Sequence, residues 1–195
     1  MLQVDRIVNS IFDSITWLLS VTESNQVWLV DCGDIDSILE KVKGKTVAGV
    51  LLTHAHFDHI YGLPELIKHF PECKIYTNKS GQEALADARK NMSLYHENPV
   101  TVEGKPVVNC YEGDEIELFP NVRALVYETP GHHPSSLTFE VVDYLFTGDA
   151  YIPGVKVVTN LPGGNKQLAM VSKERIMTMQ RGFEICPGHI NQEVL

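Results

Sequence analysis

The sequence predicts an α/β protein built as a layered sandwich, with β-sheets inside and helices outside. Three observations carry that expectation. Two β-rich stretches each come with segments of helical periodicity; Val47–Leu52 is a short, mostly apolar run of the kind found in a strand buried on both faces; and polar clusters follow directly after several strands. With 195 residues, 44% hydrophobic and 21% charged, the chain is long enough to bury a core, and residues 1–195 are expected to form one domain. No internal repeat, charge block or Pro/Gly/Ser linker divides the sequence.

From the N-terminus, Gln3–Val8, Ile15–Val21 and Val27–Val30 carry the apolar and β-branched residues of strands. Asp34 stands as an N-cap before Ile35, Ile38, Leu39 and Val42 at helical spacing, and Gly44 stops that helix. The strand Val47–Leu52 runs straight into Thr53-His54-Ala55-His56-Phe57-Asp58-His59. Leu63, Leu66, Ile67 and Phe70 then repeat with helical period, with Pro64 in the first turn, where a proline is tolerated. Lys74–Thr77 predicts a strand, and Ser80-Gly81-Gln82-Glu83 reads as a capping box opening a helix to about Lys90.

Residues 91–113 are expected to be loop with one or two short strands. Glu115–Leu118, Val122–Glu128, Ser136–Val142 and Tyr144–Thr147 predict successive strands, turning at Pro120-Asn121 and Asp143. The prolines and glycines of Ala150–Gln167 predict a loop. A last helix over about Ser172–Arg181 stops at Gly182, and Phe183–Cys186 forms the last strand.

Composition narrows the function. Sixteen Lys and Arg against 25 Asp and Glu give a net charge of −9, which disfavours a nucleic-acid partner because phosphates demand a basic face. No segment approaches the ~18 apolar residues of a membrane span, and Met1-Leu2-Gln3-Val4-Asp5-Arg6 has no export-signal pattern. A cytoplasmic location without membrane association is expected. Cys32, Cys73, Cys110 and Cys186 stand singly in or beside apolar runs and are expected to be free, buried thiols; Cys32 and Cys186 count as packing. The sequence carries no indication of oligomeric state.

Three of the eight histidines, His54, His56 and His59, fall within six residues, with Asp58 among them. Alternate residues of an extended segment point the same way, so His54 and His56 can converge on one ion, while the following turn aims Asp58 and His59 at a neighbouring position. Imidazole nitrogen and carboxylate oxygen suit zinc, manganese or ferrous iron. Further candidate ligands also follow strands, in Thr129-Pro130-Gly131-His132-His133, Thr147-Gly148-Asp149 and Pro187-Gly188-His189. Together they set polar ligands along one rim of the sheets, with glycines permitting sharp turns.

These ordered motifs, Asp31, His54-x-His56-x-Asp58-His59, His132, Asp149 and His189, resemble the metallo-β-lactamase superfamily of metallohydrolases from about Val27 to His189. The resemblance implies a four-layer αββα sandwich of two mixed β-sheets with helices on the outer faces, and a dinuclear metal site at the sheet rim. By position it implies that His54, His56 and His132 hold one metal, Asp58, His59 and His189 the second, and that Asp149 bridges both, so that all seven are catalytic. Asp31 resembles the family's supporting aspartate. The third motif commonly continues Thr-Pro-Gly-Ser in the family but reads His133-Pro134-Ser135-Ser136 here. Neighbouring side chains on an extended segment diverge, so His132 is expected to face the metals and His133 the pocket mouth or solvent.

The implied activity is hydrolysis of an ester-like bond, a thioester or lactone, in a small-molecule substrate. Two divalent ions, zinc first and iron or manganese as alternatives, bring the pKa of bound water to roughly 7 and polarise the scissile carbonyl, so that a metal-bound hydroxide attacks. Asp58 and Asp149 offset the ionic charge, and Asp58 can hold the nucleophile in line. The alternatives are a mononuclear iron oxygenase resembling the persulfide dioxygenase branch and a non-catalytic metal-binding module. Glyoxalase II relatives add a helical region that grips glutathione, whereas this sequence ends six residues after His189, so glutathione specificity is not expected. Substrate selection falls to Ile11–Ser14, residues 91–113 and Ala150–Gln167, with Tyr61 and Tyr151 as candidate pocket residues.

Overall fold

Strands β1 (Leu2–Val8), β2 (Ile15–Val21), β3 (Gln26–Val30), β4 (Thr46–Leu51), β5 (Lys74–Thr77) and β6 (Val107–Asn109) form one sheet in chain order in the computed structural model, which describes residues 1–102, 104 and 106–191. The first three strands pair antiparallel and the remainder parallel, so the sheet is mixed. The second sheet runs β11-β10-β9-β8-β7, from β7 (Glu115–Phe119), β8 (Val122–Glu128), β9 (Leu137–Val141), β10 (Tyr144–Gly148) and β11 (Glu184–Pro187). It is antiparallel except for the parallel β10–β11 pair.

The strand period distributes side chains between the layers. Leu19, Trp28, Val30 and Leu51 of the first sheet meet Val126, Phe139 and Phe146 of the second in the central core. Trp28 Nε1 crosses this interface to donate to the Leu118 carbonyl at 2.8 Å. On the other face of the first sheet, Leu18, Leu29 and Val50 pack against helices α1 (Ile35–Lys41), α2 (Leu63–His69) and α3 (Lys79–Leu85) through Ile38, Leu66 and Leu85. Leu145 lies on the outer face of the second sheet against Ile176 of α4 (Lys166–Met179). The result is the four-layer αββα sandwich of two mixed sheets. All four cysteines are free and buried, and among the described residues no helix is long and apolar enough to cross a membrane.

Three helix assignments are corrected. Asn78 rather than Ser80 caps α3, because its side chain, three residues before Gly81, accepts from the Gly81 amide at 2.9 Å and so starts the helix at Lys79. That helix also ends at Leu85, where the buried Asn91 side chain donates to the Ala84 carbonyl at 3.0 Å and ties the following loop back. Helix α4 begins at Lys166, capped by Asn165 Oδ1 at 3.0 Å from the Gln167 amide. Its buried face is Ala169, Ser172 and Ile176, small and polar enough to hide the helical period, while Met170 and Val171 face solvent. Asp34 occupies the first position before α1 without capping it; its carboxylate accepts instead from the Ser10 amide and hydroxyl at 2.7 and 2.8 Å and from the Tyr61 hydroxyl at 2.5 Å.

Candidate metal centre

The ligand-bearing turns meet at one rim because β4, β8, β10 and β11 all release their chains there. Beyond β4, the segment 53–55 is held from both sides. The Thr53 amide and hydroxyl each donate to the Asp31 carboxylate at 2.7 Å, the Thr53 carbonyl accepts from the Leu137 amide at 2.7 Å, and the Ala55 amide donates to Ser135 Oγ at 3.0 Å. A single 3₁₀ turn, Phe57–His59, then presents Asp58 and His59. At the end of β11 only glycine fits position 188, since a Cβ there would collide with Asp149 Oδ1.

Seven side chains converge. Ligand atoms of His54, His56 and His132 lie within 4.8 Å of one another, as do those of Asp58, His59 and His189, and those of His54, His59 and Asp149. His132 Nε2 is 2.9 Å from His56 Nδ1, and His59 Nε2 is 3.2 Å from His189 Nε2. Asp149 reaches across, with Oδ2 at 3.5 Å from His132 Nε2 and 3.3 Å from His189 Nε2, and Oδ1 at 3.6 Å from His59 Nε2. Asp58 Oδ2 lies 3.1 Å from His189 Nε2 and 3.4 Å from His59 Nε2.

The donor set fits divalent ions. Four of the five imidazoles have Nδ1 tethered, which leaves the Nε2 lone pair for the centre. His59 Nδ1 donates to Asp31 Oδ2 at 2.8 Å, His132 Nδ1 to the Val158 carbonyl at 2.9 Å, His189 Nδ1 to the Phe12 carbonyl at 2.8 Å and His54 Nδ1 to Thr53 Oγ1 at 3.2 Å. Among the described residues, His54 Nε2 and Asp149 Oδ1 are buried toward the centre without a hydrogen-bond partner, a costly condition for polar atoms unless an ion satisfies them. Contacts between facing nitrogens of 2.9 and 3.2 Å also suit ligands of one ion, which stand about 3.3 Å apart at tetrahedral bond lengths of ~2.0–2.1 Å.

Electrostatics divides the centre. Burial, then repulsion from neighbouring imidazoles, holds His54 well below its ordinary value and pushes His56 down to about 3, so both stay neutral. His132 is also lowered, by burial that Asp149 partly opposes. In the other half burial is overcome by charge pairing. Asp58 and Asp31 raise His59, and Asp149 and Asp58 raise His189 to about 10. Against the same burial, His59 and His189 hold Asp58 down, and His189, His59 and His132 do so for Asp149.

All three loops expected to select substrate reach this rim. Ile152, Val155 and Val157 wall a shallow cavity beside His132 and Asp149. Ser14 Oγ donates to the Asp58 carbonyl at 2.8 Å, and the His96 ring stacks on Phe57 at 3.9 Å. Tyr61 is instead tied to Asp34, and Tyr151 is buried beneath Lys173. His133 corrects the expectation of an exposed ring, because it is buried with its ring 4.7 Å from that of His56. Residue spacing did not reveal the roles of Thr53, Ser135 and the Phe12 carbonyl. Ser135 meets Ala55 across 80 residues, and a backbone carbonyl leaves no signature in residue type.

A sequence profile of the metallo-beta-lactamase superfamily matches residues 16–189. The chain is 34% identical over 153 residues to the probable metallo-hydrolase YqgX of Bacillus subtilis (strain 168), covering 76% of this chain and 71% of that protein. It is 31% identical over 175 residues to hydroxyacylglutathione hydrolase of Xylella fastidiosa (strain 9a5c), covering 89% of this chain and 58% of that enzyme. Among solved structures, the BLEG-1 B3 metallo-beta-lactamase superposes with a TM-score of 0.83 at 24% identity, over 97% of this chain and 92% of that one, which shows a shared fold.

Proposed function

Because the chain belongs to the metallo-β-lactamase superfamily, we propose that it is a metal-dependent hydrolase of a small-molecule acyl substrate in the cytoplasm, cleaving a thioester in preference to a lactone. The observation that carries this reading is the convergence of seven nitrogen- and oxygen-donor side chains around buried, partnerless His54 Nε2 and Asp149 Oδ1. His54, His56 and His132 would hold one ion and Asp58, His59 and His189 a second, with Asp149 shared between them. Zinc is the proposed metal, since it takes imidazole and carboxylate ligands in this number. When bound, the ions supply a water of pKa roughly 7 and polarise the acyl carbonyl.

The chain's own groups do the remaining work. Asp58 Oδ2, beside His189 Nε2, would accept a hydrogen bond from the attacking water and fix its direction toward the carbonyl. The backbone, hydroxyl and carboxylate partners of the four tethered imidazoles keep their rings from turning during the reaction. Ile152, Val155 and Val157 would cover the acyl group and exclude bulk water. A thiol of pKa about 8.5 leaves readily as its anion, so the centre need not protonate it, and this favours a thioester over an alkyl ester.

Turnover of the protein loaded with Zn²⁺ and, separately, with Fe²⁺ against acyl thioesters, lactones, phosphodiesters and persulfides tests the reading. Thioester cleavage lost on chelation and restored by Zn²⁺ is expected. Oxygen uptake on a persulfide by the Fe²⁺-loaded protein, with no hydrolysis by either form, would replace it with the iron oxygenase.

A further inference from the structure

His133 is a buried imidazole that the hydrolysis has no use for, and its contacts give it another task. The Ser135 amide donates to His133 Nδ1 at 3.2 Å, so Nδ1 is the unprotonated, accepting nitrogen. Ser135 Oγ lies 2.6 Å from the same atom and therefore gives it the hydroxyl proton, while the Oγ lone pair accepts the Ala55 amide at 3.0 Å. The remaining His133 nitrogen, Nε2, therefore carries the proton. His133, Ser135 and Ala55 are all buried. Ala55 is the one residue between His54 and His56, and its amide has no other partner in this chain of donors. Ser135 and His133 are also two positions at which the sequence departs from the motif it resembles, and they are each other's partners.

We propose that His133 is a positioning residue: through Ser135 it fixes the Ala55 amide and thereby the spread of His54 and His56, while its ring braces His56. The inference rests on the reading that these two histidines hold a metal. His133 belongs to none of the ligand clusters and its Nδ1 is engaged by Ser135, so it is not itself a ligand. Its far side borders a cavity of about 220 Å³ lined by Lys90, Pro134 and Gly163, so truncation to alanine would admit water and confuse the outcome. Two isosteric variants separate the arms. His133→Asn keeps an acceptor at the Nδ1 position, and His133→Gln keeps a donor at the Nε2 position but offers Ser135 no acceptor there.

The experiment reads amide hydrogen exchange at Ala55 in metal-free protein, then Zn²⁺ affinity by chelator competition, for wild type, both His133 variants, Ser135→Ala and His133→Gln/Ser135→Ala. Thermal unfolding verifies that each is folded. Ala55 exchange should quicken at least about tenfold in His133→Gln and Ser135→Ala, with the tightest Zn²⁺ site weakened about 10- to 100-fold, the range for losing a group that orients a ligand. His133→Asn should restore both readouts, and the double variant should be no worse than either single one. Unchanged Ala55 exchange, unchanged Zn²⁺ affinity, or an asparagine variant as impaired as the glutamine would each overturn the proposal. Loss of a whole metal equivalent in His133→Asn would make His133 a ligand and overturn it too. If wild type binds no Zn²⁺, the metal reading itself fails, which the metal-free exchange data keep distinct.

Discussion

Asp31 Oδ2 and His59 Nδ1 lie 2.8 Å apart, both buried, and Asp31 achieves this from a left-handed backbone conformation with φ of 62°. The same carboxylate receives the Thr53 amide and hydroxyl, so one residue orients His59 and the root of the His54–His56 segment together. A non-glycine residue is held at positive φ only where its surroundings over-determine it, and here three hydrogen bonds to the carboxylate do so.

Asp31→Asn should therefore lower metal affinity by about 10- to 100-fold while the protein still folds, because one amide oxygen cannot replace both carboxylate oxygens and the NH2 group would face either the Thr53 amide or the Thr53 hydroxyl and His59. Asp31→Ala should also destabilise by about 3–5 kcal/mol, the cost of stranding a buried partner. Chelator competition and denaturant unfolding of the two variants check this. Metal affinity unchanged in both would show that His59 needs no support from Asp31.

Gly188→Ala places a Cβ against Asp149 Oδ1 and His59 Cε1. A misplacement of even about 1 Å can cost 100-fold in rate, so kcat/KM should fall by that order. Steady-state kinetics beside a thermal melt separates this from general unfolding. An alanine variant with wild-type kinetics would mean that the Asp149 position tolerates displacement.

Asp149→Ala should abolish turnover and reduce occupancy of both ions, since this carboxylate approaches His132, His59 and His189 alike. The residue sits at the rim, so folding should persist. Circular dichroism and elemental analysis of the purified variant measure both, and near-normal turnover would rule out a shared role.

Metal uptake should release protons. His59 and His189 are raised by their carboxylates, the latter to about 10, so near pH 7 the metal-free protein carries protons on both that an ion must displace. For the metal-free fold the sign is set by the same shift. The His189 contribution to stability is present below the unfolded value of about 6.5 and is lost as pH rises toward 10. Calorimetric Zn²⁺ titration in buffers of different ionisation enthalpy reads the proton count. Heats independent of buffer would contradict it.

Much of the fold was legible because strands announce themselves through alternation and β-branched residues, as Ile15–Val21 and Val122–Glu128 do at their observed bounds. The ligand rim was legible because its residues cluster in short polar motifs after strands. What escaped depends on long-range contact. The start of α4 was hidden by its small, polar buried face. Asp34 has the residue type of a cap but finds stronger donors in Ser10 and Tyr61, one of them 24 residues away. The burial of His133 follows from the distant segments carrying Lys90 and Gly163, which border the same cavity and which residue spacing could not bring to it.

The paired-ion centre is tested most directly by metal stoichiometry of the protein purified without chelator, read by elemental analysis and native mass spectrometry alongside thioester turnover. Two zinc ions per chain, with activity rising as they load, is the expected result. A single equivalent of iron accompanied by oxygen consumption, or full hydrolytic activity in metal-free protein, would contradict it.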